Sequence, residues 1–214
     1  MIPILFQDEC LAVCLKPPGT LSQDGPGGSL PGMLREQLGC GIFPVHRLDR
    51  EAGGVMVYAK TSRAAGALSQ EIAQGRFQKR YLCVTQGAPE DSEGIYRDLL
   101  LHDKARNKSF VVGRMRGGVK EASLEYQTLS VQDGQALVSV RLHTGRTHQI
   151  RVQFASRGTP LLGDRKYGGG EGALMLWSCA LGFYHPQKGS LLTFTVPPRG
   201  DRWDVFQTEL DALQ

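Results

Sequence analysis

One acidic side chain in the sequence stands where it could act on a substrate. Asp49 lies between Arg47 and Arg50 in the stretch HRLDREAGG, residues 46–54, with no cysteine or metal-ligand pair beside it. A carboxylate in that setting could take part in catalysis. Most aspartates are surface or capping groups, so the stretch alone leaves both roles open. The apolar strand that follows favours catalysis, because loops on a rigid sheet commonly carry functional groups.

A second polar cluster surrounds Arg146 in the stretch RLHTGRTHQIRVQF. The pattern places Arg146 in the turn between a strand and a helix, where backbone donors point at an anion. Arg146 could therefore pair with an aspartate or hold a phosphate. His143 and His148 are five residues apart, a poor match to the i, i+4 pair of helical zinc sites, so no metal site is expected.

A tyrosine between cations begins a further predicted strand, QKRYLCV, in which Lys79 and Arg80 precede Tyr81. A tyrosine at a strand start most often packs in the core or at an edge. Beside cations, it is also a plausible platform for a nucleobase. The sequence leaves these two roles open.

Basic residues concentrate in two segments, residues 102–120 and 141–166, although the formal net charge is only +4. Each segment has six lysines or arginines against one acid. Such segments indicate a surface for a polyanion such as RNA, because phosphate contacts supply most sequence-independent affinity for nucleic acids. Solvated loops are the alternative interpretation.

The elements that must position these groups are mostly strands, as 27 glycines among 214 residues suggest. The pattern predicts an opening hairpin, a helix capped by Ser29, a helix over residues 61–74, a run of strands through residue 142, and a helix capped by Thr144 or Thr147. Two further strands and an amphipathic C-terminal helix follow. We expect one α+β domain over residues 1–214, with a mainly antiparallel sheet flanked by helices.

The cellular setting is suggested by cysteine content and by the N-terminus. Five scattered cysteines lack the close pairs of zinc or redox motifs, so we expect them to be reduced and structural. No signal peptide or membrane span is apparent. The sequence therefore favours a cytoplasmic protein.

Five elements in the same order resemble the RluA-type pseudouridine synthases, enzymes that isomerise uridine in RNA. The elements are LKPPG, HRLDREAGGVMVYAK, QKRYLCVTQG, RLHTGRTHQIRVQF and LGFYHP, and they span nearly the whole chain. The resemblance implies an isomerase that needs no cofactor or metal. It implies RNA as the partner, either a transfer or a ribosomal RNA stem-loop, and a monomer is the simplest state.

The resemblance also implies roles for individual residues. Asp49 would be the nucleophile, Tyr81 would stack on the target base, and Arg146 would form an ion pair with Asp49. The remaining predicted site residues would contact the RNA or close the base pocket; they are Arg47, Lys79, Leu176, Arg165 and Lys166.

Two motifs depart from the family pattern. The family's T-S-G after the aspartate is AGG here, so Ala52 and Gly53 lack hydroxyls that could hold the loop. The family's L-H-A is LWS, which places Trp177 and Ser178 near the pocket. The first difference leaves Asp49 unchanged but implies that its loop is held differently. The second concerns the local packing near the pocket and does not affect the reaction.

Two other functions compete with an isomerase. A non-catalytic RNA-binding protein on the same fold would share the basic segments without needing Asp49. A hydrolase of glycosidic bonds generally uses two flanking carboxylates, and Glu51 is the only candidate near Asp49. Release of free uracil would reveal the hydrolase.

Overall fold

The computed structural model describes residues 1–213, which divide into two compact units. The first unit consists of residues 1–79 and 177–198, and the second of residues 80–176 and 199–213. Both contain a sheet with helices, so the predicted α+β class is confirmed. A single domain over the whole chain stays a prediction.

The described residues form eleven strands and four α-helices. The strands are β1 Ile4–Gln7, β2 Leu11–Lys16, β3 Phe43–Pro44, β4 Gly53–Ala59, β5 Gln78–Gln86, β6 Glu93–Asp103, β7 Lys108–Val112, β8 Val119–Gln132, β9 Gln135–Leu142, β10 Leu176–Tyr184 and β11 Leu191–Thr195. The helices are α1 Leu30–Leu38, α2 Ser62–Ala73, α3 Gln149–Ala155 and α4 Gln207–Asp211, with a 3₁₀ helix at Asp201–Phe206.

The sheet of the first unit has β4 at its centre. Its strand order is β1-β2-β4-β10, with β3 also paired to β4 and β11 to β10. Only the β4–β10 pair is parallel. Every residue of β4 is buried, which explains its near-continuous apolar sequence. Val57 opposite Val13 on β2 packs with Leu68 of α2 and Phe183 of β10 in the core of this unit.

The sheet of the second unit is entirely antiparallel, in the order β5-β9-β8-β6-β7. An aromatic cluster of Tyr96, Tyr126 and Phe154 joins strands β6 and β8 to α3, with ring centroids 4.4 to 5.7 Å apart. The Arg157 guanidinium lies 3.9 Å from the centre of the Tyr96 ring. These contacts fix α3, which follows the loop of Arg146.

Two predicted helix starts are confirmed. The Ser29 hydroxyl accepts a hydrogen bond from Gly32 N at 3.2 Å at the start of α1. The Thr61 hydroxyl accepts one from Ala64 N at 3.1 Å at the start of α2. Each side chain satisfies a backbone donor that the first helical turn leaves unpaired.

The predicted cap of α3 was wrong. His148, and neither Thr144 nor Thr147, precedes the helix, and it adopts a left-handed conformation with φ 55° and no side-chain cap. The Thr144 hydroxyl is instead hydrogen-bonded to β8, where it accepts from Ser123 N at 2.9 Å. The C-terminal helix also differs from the prediction, because it begins as a 3₁₀ helix before α4.

The cysteine prediction is confirmed for bonding and largely for burial. All five cysteines are free thiols, and four of them are buried, while Cys40 is half-buried. Among residues 1–213, no helix has the length and apolar character needed to cross a membrane.

Candidate active site

The first unit carries the aspartate loop, residues 46–52, immediately before β4. Ser22 fixes the residue before Asp49: its hydroxyl accepts from Leu48 N at 3.1 Å and donates to Leu48 O at 2.7 Å. Within the loop, Ala52 N donates to Asp49 O at 3.2 Å. Asp49 itself is half-buried. The backbone on the N-terminal side of the carboxylate is therefore held by a buried side chain.

Lys16 holds the other side of the loop. This lysine ends β2, and its side chain is fully buried. Its Nζ donates to the carbonyl oxygens of Pro17 at 3.0 Å, Arg50 at 2.9 Å and Ala52 at 2.7 Å. An ammonium has three protons, so every donor is used. Two of the three acceptors lie just after Asp49, a role of this lysine that is not evident from the sequence.

Arg50 and Gly19 add a reciprocal pair of hydrogen bonds. Gly19 N donates to Arg50 O at 2.8 Å, and Arg50 Nε donates to Gly19 O at 2.9 Å. Gly19 has φ 85°, a conformation that favours glycine. The LKPPG segment therefore serves as a brace for the aspartate loop.

Lys16 gives the site a distinctive pH dependence. Burial lowers the pKa of Lys16 to about 8, against the opposing effect of the carboxylates of Glu51 and Asp49. Above that pH the amine loses its charge and one of its three donors. We therefore expect turnover to fall as the pH rises through about 8, measured as a single-turnover rate from pH 7 to 9.5.

The free energy of unfolding should move in the opposite direction. The unfolded lysine keeps its proton up to about pH 10.5, so between pH 8 and 10.5 the unfolded state binds more protons. The contribution of Lys16 to stability therefore rises with pH in that window, which urea unfolding measures.

For the turnover prediction, Lys60→Met is the control and should keep the alkaline decline in rate. A rate that stays level to pH 9.5 would contradict this assignment.

His46 begins the loop but is not suited to acid–base chemistry near neutral pH. Burial, with a smaller effect from the charge of Lys79, lowers the pKa of His46 to about 3. Its Nε2 accepts a hydrogen bond from Val57 N at 3.1 Å, and its ring packs on Phe77 at 5.4 Å. His46 is therefore a neutral residue that anchors the loop to β4.

The two departures from the family motifs are in contact with each other. Gly53 pairs with Trp177 across the β4–β10 register. A Cβ on Gly53 would lie 2.4 Å from Trp177 Cζ3 and 3.1 Å from Pro18 Cδ. Trp177 is held by a hydrogen bond from its Nε1 to Val196 O at 2.9 Å. The bulky indole thus leaves no room for a Cβ at position 53, so the residues that fit at these two positions depend on each other.

This pairing predicts strong coupling between the two positions. Gly53→Ser alone forces an atom into the indole and should lower the free energy of unfolding by about 1–3 kcal/mol. In a Trp177→His background the smaller ring leaves room, so the same change should cost much less. Urea unfolding of the four proteins measures both costs. Equal costs in the two backgrounds would show that the contact is not responsible.

The second unit carries the arginine loop, residues 143–148, between β9 and α3. Gln149 is buried and organises this loop: its Oε1 accepts from the Thr144 hydroxyl at 2.7 Å and from Arg146 N at 3.0 Å. Its Nε2 donates to Ser123 O at 3.0 Å. Arg146 Nε donates to Glu121 O at 2.8 Å. The backbone of Arg146 is thus fixed by Gln149, and the guanidinium is oriented from β8.

The other predicted site residues differ in exposure. Tyr81 is buried on β5 opposite Val140, in the strand pair that leads to the arginine loop. Leu176 is buried at the start of β10, and Arg47 in the aspartate loop is exposed. Lys79 is half-buried, with its Nζ 5.5 Å from the centre of the Phe77 ring.

The two basic segments have different structures. In residues 102–120, five of the six basic side chains are exposed: Lys104, Arg106, Arg114, Arg116 and Lys120. In residues 141–166, Arg151 forms a buried pair with Asp164 at 2.7 Å, and Arg157 pairs with Asp98 at 2.9 Å. The second segment is therefore partly structural, which a count of charges did not distinguish.

Arg165 and Lys166 already have protein partners. Arg165 is exposed and pairs with Glu171 at 2.5 Å. Lys166 is half-buried and donates from Nζ to Asn107 O at 2.8 Å. A phosphate contact by either side chain would replace or share these bonds.

One cluster in the described residues has the atoms of a metal site. Ligand atoms of Asp8, Cys10 and His185 lie within 4.8 Å of one another. However, His185 Nδ1 accepts from Gln187 N at 3.1 Å and from Lys188 N at 3.0 Å. The ring proton is therefore on Nε2, which donates to Asp8 Oδ2 at 2.6 Å. The cluster fits a hydrogen-bonded link between the first hairpin and β10 better than a metal site.

Comparison with known proteins identifies the family. A model described as RNA pseudouridylate synthase matches residues 11–156. An RNA pseudouridine synthase of Aquifex aeolicus (strain VF5) is 36% identical, covering 91% of this chain and 69% of the relative. The dual-specificity RNA pseudouridine synthase RluA of Escherichia coli (strain K12) is 32% identical, covering 91% and 92%. The structure of human RNA pseudouridylate synthase domain containing 4 superposes with a TM-score of 0.77 at 25% identity, covering 99% of this chain and 94% of that one. The chain therefore belongs to the RNA pseudouridylate synthase family.

Proposed function

We propose that this RNA pseudouridine synthase isomerises specific uridines in a folded transfer or ribosomal RNA, with Asp49 as the nucleophile. The observation that carries the proposal is the support of a single carboxylate from both sides. Ser22 holds the backbone before Asp49, and Lys16 holds the backbone after it. Such rigid placement is what a reacting group requires.

The reaction exchanges one bond for another within the same nucleotide. The bond from ribose C1′ to N1 of uracil breaks, the base turns, and a new bond forms from C1′ to C5. C5 loses a proton and N1 gains one, so the atoms balance. No electron or outside atom is gained or lost. Asp49 would attack C1′ or C6 and hold the intermediate covalently until the base has turned. One nucleophile is sufficient for either route.

Arg146 would supply a positive charge opposite this carboxylate. A carboxylate that is removed from water needs such a partner to offset the cost of its lost hydration. The family resemblance assigns that role to Arg146. The support for it here is that Gln149 and Glu121 hold the arginine in one orientation. An ion pair with Asp49 is part of the proposal.

The target uridine must leave the RNA stack before its C1′ and C5 are accessible, at a cost of a few kcal/mol. The exposed side chain of Arg47 would fill the space that the base leaves. Tyr81 would stack on the flipped uracil, with Leu176 closing the pocket and Lys79 near its entrance. The buried position of Tyr81 suits a rigid stacking surface.

The exposed basic residues between 104 and 120 would contact RNA phosphates. Arg165 and Lys166 would add to this surface after exchanging their protein partners. The names of two relatives specify RNA: the E. coli enzyme is called a dual-specificity RNA pseudouridine synthase, and a Zymomonas mobilis relative is called a ribosomal large subunit pseudouridine synthase. We propose a stem-loop of a transfer or ribosomal RNA as the substrate.

The substrate test uses unmodified transfer and ribosomal RNA in separate reactions. Pseudouridine keeps a carbodiimide adduct through mild alkali, and the adduct stops reverse transcription one nucleotide before it. We expect one or a few new stops in one of the two RNA classes. Stops in neither class, with both RNAs bound, would reject the proposed substrates and favour a non-catalytic RNA-binding protein.

Two further parts of the proposal concern the cellular context. Five free cysteines suit a reducing compartment, so we propose that the protein acts in the cytoplasm. We also propose a monomer, whose mass of 23.4 kDa can be checked by light scattering with and without RNA. A stable dimer under both conditions would refute the second point.

A further inference from the structure

Tyr167 lies at the junction of three segments of the second unit. It belongs to the GDRKYG stretch, residues 163–168. Its hydroxyl accepts a hydrogen bond from Ser109 N at 2.7 Å and lies 3.2 Å from Ser109 O and 3.0 Å from His148 Nδ1. One oxygen atom thus connects β7 to the residue that ends the arginine loop.

The arginine loop needs such a support because His148 has an unusual backbone. Its φ is 55° and its ψ is 25°, a left-handed conformation that is unfavourable for a non-glycine residue. Ser109 adds a second bond, from its hydroxyl to Thr147 O at 2.6 Å. Tyr167 and Ser109 together hold the two residues that directly follow Arg146.

Strand β7, which contains Ser109, also leads to exposed basic residues. Strands β6 and β7 form a hairpin whose turn carries Lys104 and Arg106, both exposed. Lys108, at the start of β7, places its Nζ 5.0 Å from the centre of the Tyr167 ring. A contact between RNA and this hairpin would therefore act on a strand that is linked to the arginine loop through the hydrogen bonds of Ser109 and Tyr167.

We propose that Tyr167 is a positioning residue whose hydroxyl ties the arginine loop to the basic β6–β7 hairpin and so sets the orientation of Arg146. This rests on the proposed role of Arg146. Tyr167 does not touch the reacting atoms; it acts through Ser109 and His148. Its removal should slow the chemical step and leave the affinity for RNA nearly unchanged.

The hydroxyl can be removed without releasing the segment that carries it. Asp164 and Arg151 form a buried pair with two hydrogen bonds, at 2.7 and 2.8 Å. The same carboxylate accepts from Tyr167 N at 3.3 Å. The Arg151 guanidinium also lies 5.4 Å from the centre of the Tyr167 ring. A phenylalanine at this position keeps these contacts and loses only the bonds of the hydroxyl.

The test compares Tyr167→Phe with Tyr126→Phe. Tyr126 is a matched control, because it lies in the same unit and its hydroxyl donates to Asp91 O at 3.4 Å, away from the arginine loop. We expect Tyr167→Phe to lower the single-turnover rate roughly 10-fold or more, as misplaced catalytic groups do, with the Kd for RNA within about twofold. Ser109→Ala should also lower the rate. Tyr126→Phe should leave the rate unchanged.

A second background separates this proposal from the role of Arg146. In Arg146→Met protein there is no guanidinium to position, so Tyr167→Phe should cause no further loss of rate. A full additional loss in that background would overturn the positioning role. An unchanged rate for Tyr167→Phe alone, or an equal loss for Tyr126→Phe, would also overturn it. If the wild-type protein forms no pseudouridine, the proposed function fails first and is recognised as a separate failure.

Discussion

Asp49→Asn should reduce pseudouridine formation by about 10⁴-fold or more, the scale seen when a covalent nucleophile is removed. The amide has nearly the shape of the carboxylate but no nucleophilic charge. The aspartate loop is held by Ser22 and Lys16 through backbone atoms, so it should keep its conformation. The Kd for RNA and the Tm should therefore stay close to those of the wild type.

Glu51→Gln is the matched control for this variant. Glu51 is exposed and lies two residues away in the same loop. Its substitution therefore removes an equal charge without removing the proposed nucleophile. We expect its rate to remain within a few-fold of the wild-type rate. A large loss of rate in Glu51→Gln, with activity retained in Asp49→Asn, would show that Glu51 and not Asp49 carries the reaction.

Arg146→Met should lower the single-turnover rate by about 10²–10³-fold, the usual effect of removing one preorganised electrostatic group. The loop should survive the change, because Gln149 binds the backbone of residue 146 through its N–H. RNA binding should weaken only slightly. Arg141→Met, a change of an exposed arginine on neighbouring β9, is the control and should leave the rate nearly unchanged.

A lysine at position 146 gives a second result, because it keeps the positive charge that a methionine removes. Arg146→Lys should therefore retain more of the single-turnover rate than Arg146→Met. An equal loss of rate in the two variants would argue against the ion pair between Arg146 and Asp49.

Local signals in the sequence were sufficient for much of the fold. The cap at Ser29 was predicted because a capping side chain bonds to a backbone donor three residues away. The second helix was predicted to begin near Thr61, and the structure shows the same kind of cap there. The cap of α3 was not predictable in this way. His148 has a left-handed conformation, and its ring contacts Tyr167, 19 residues later; no local pattern indicates such a partner.

The functional segments were recognisable, but their supports were not. The segment containing Lys16 was identified, whereas the three carbonyls that its ammonium binds include two more than 30 residues away. The departures at Gly53 and Trp177 looked independent because 124 positions separate them, yet they are register partners across β4 and β10. Long-range pairing of this kind is a property of the sheet, and neither motif alone predicts it.

The central claim is tested most directly by counting three products in one reaction. The substrate is unmodified transfer or ribosomal RNA carrying tritium at uracil C5, and the products are released tritium, pseudouridine and free uracil. Isomerisation predicts that released tritium equals pseudouridine formed, with no free uracil, because the new bond at C5 expels that hydrogen. Free uracil without tritium release would show a glycosidase. None of the three products from an RNA that the protein binds would show a binding protein. Either result would contradict the account.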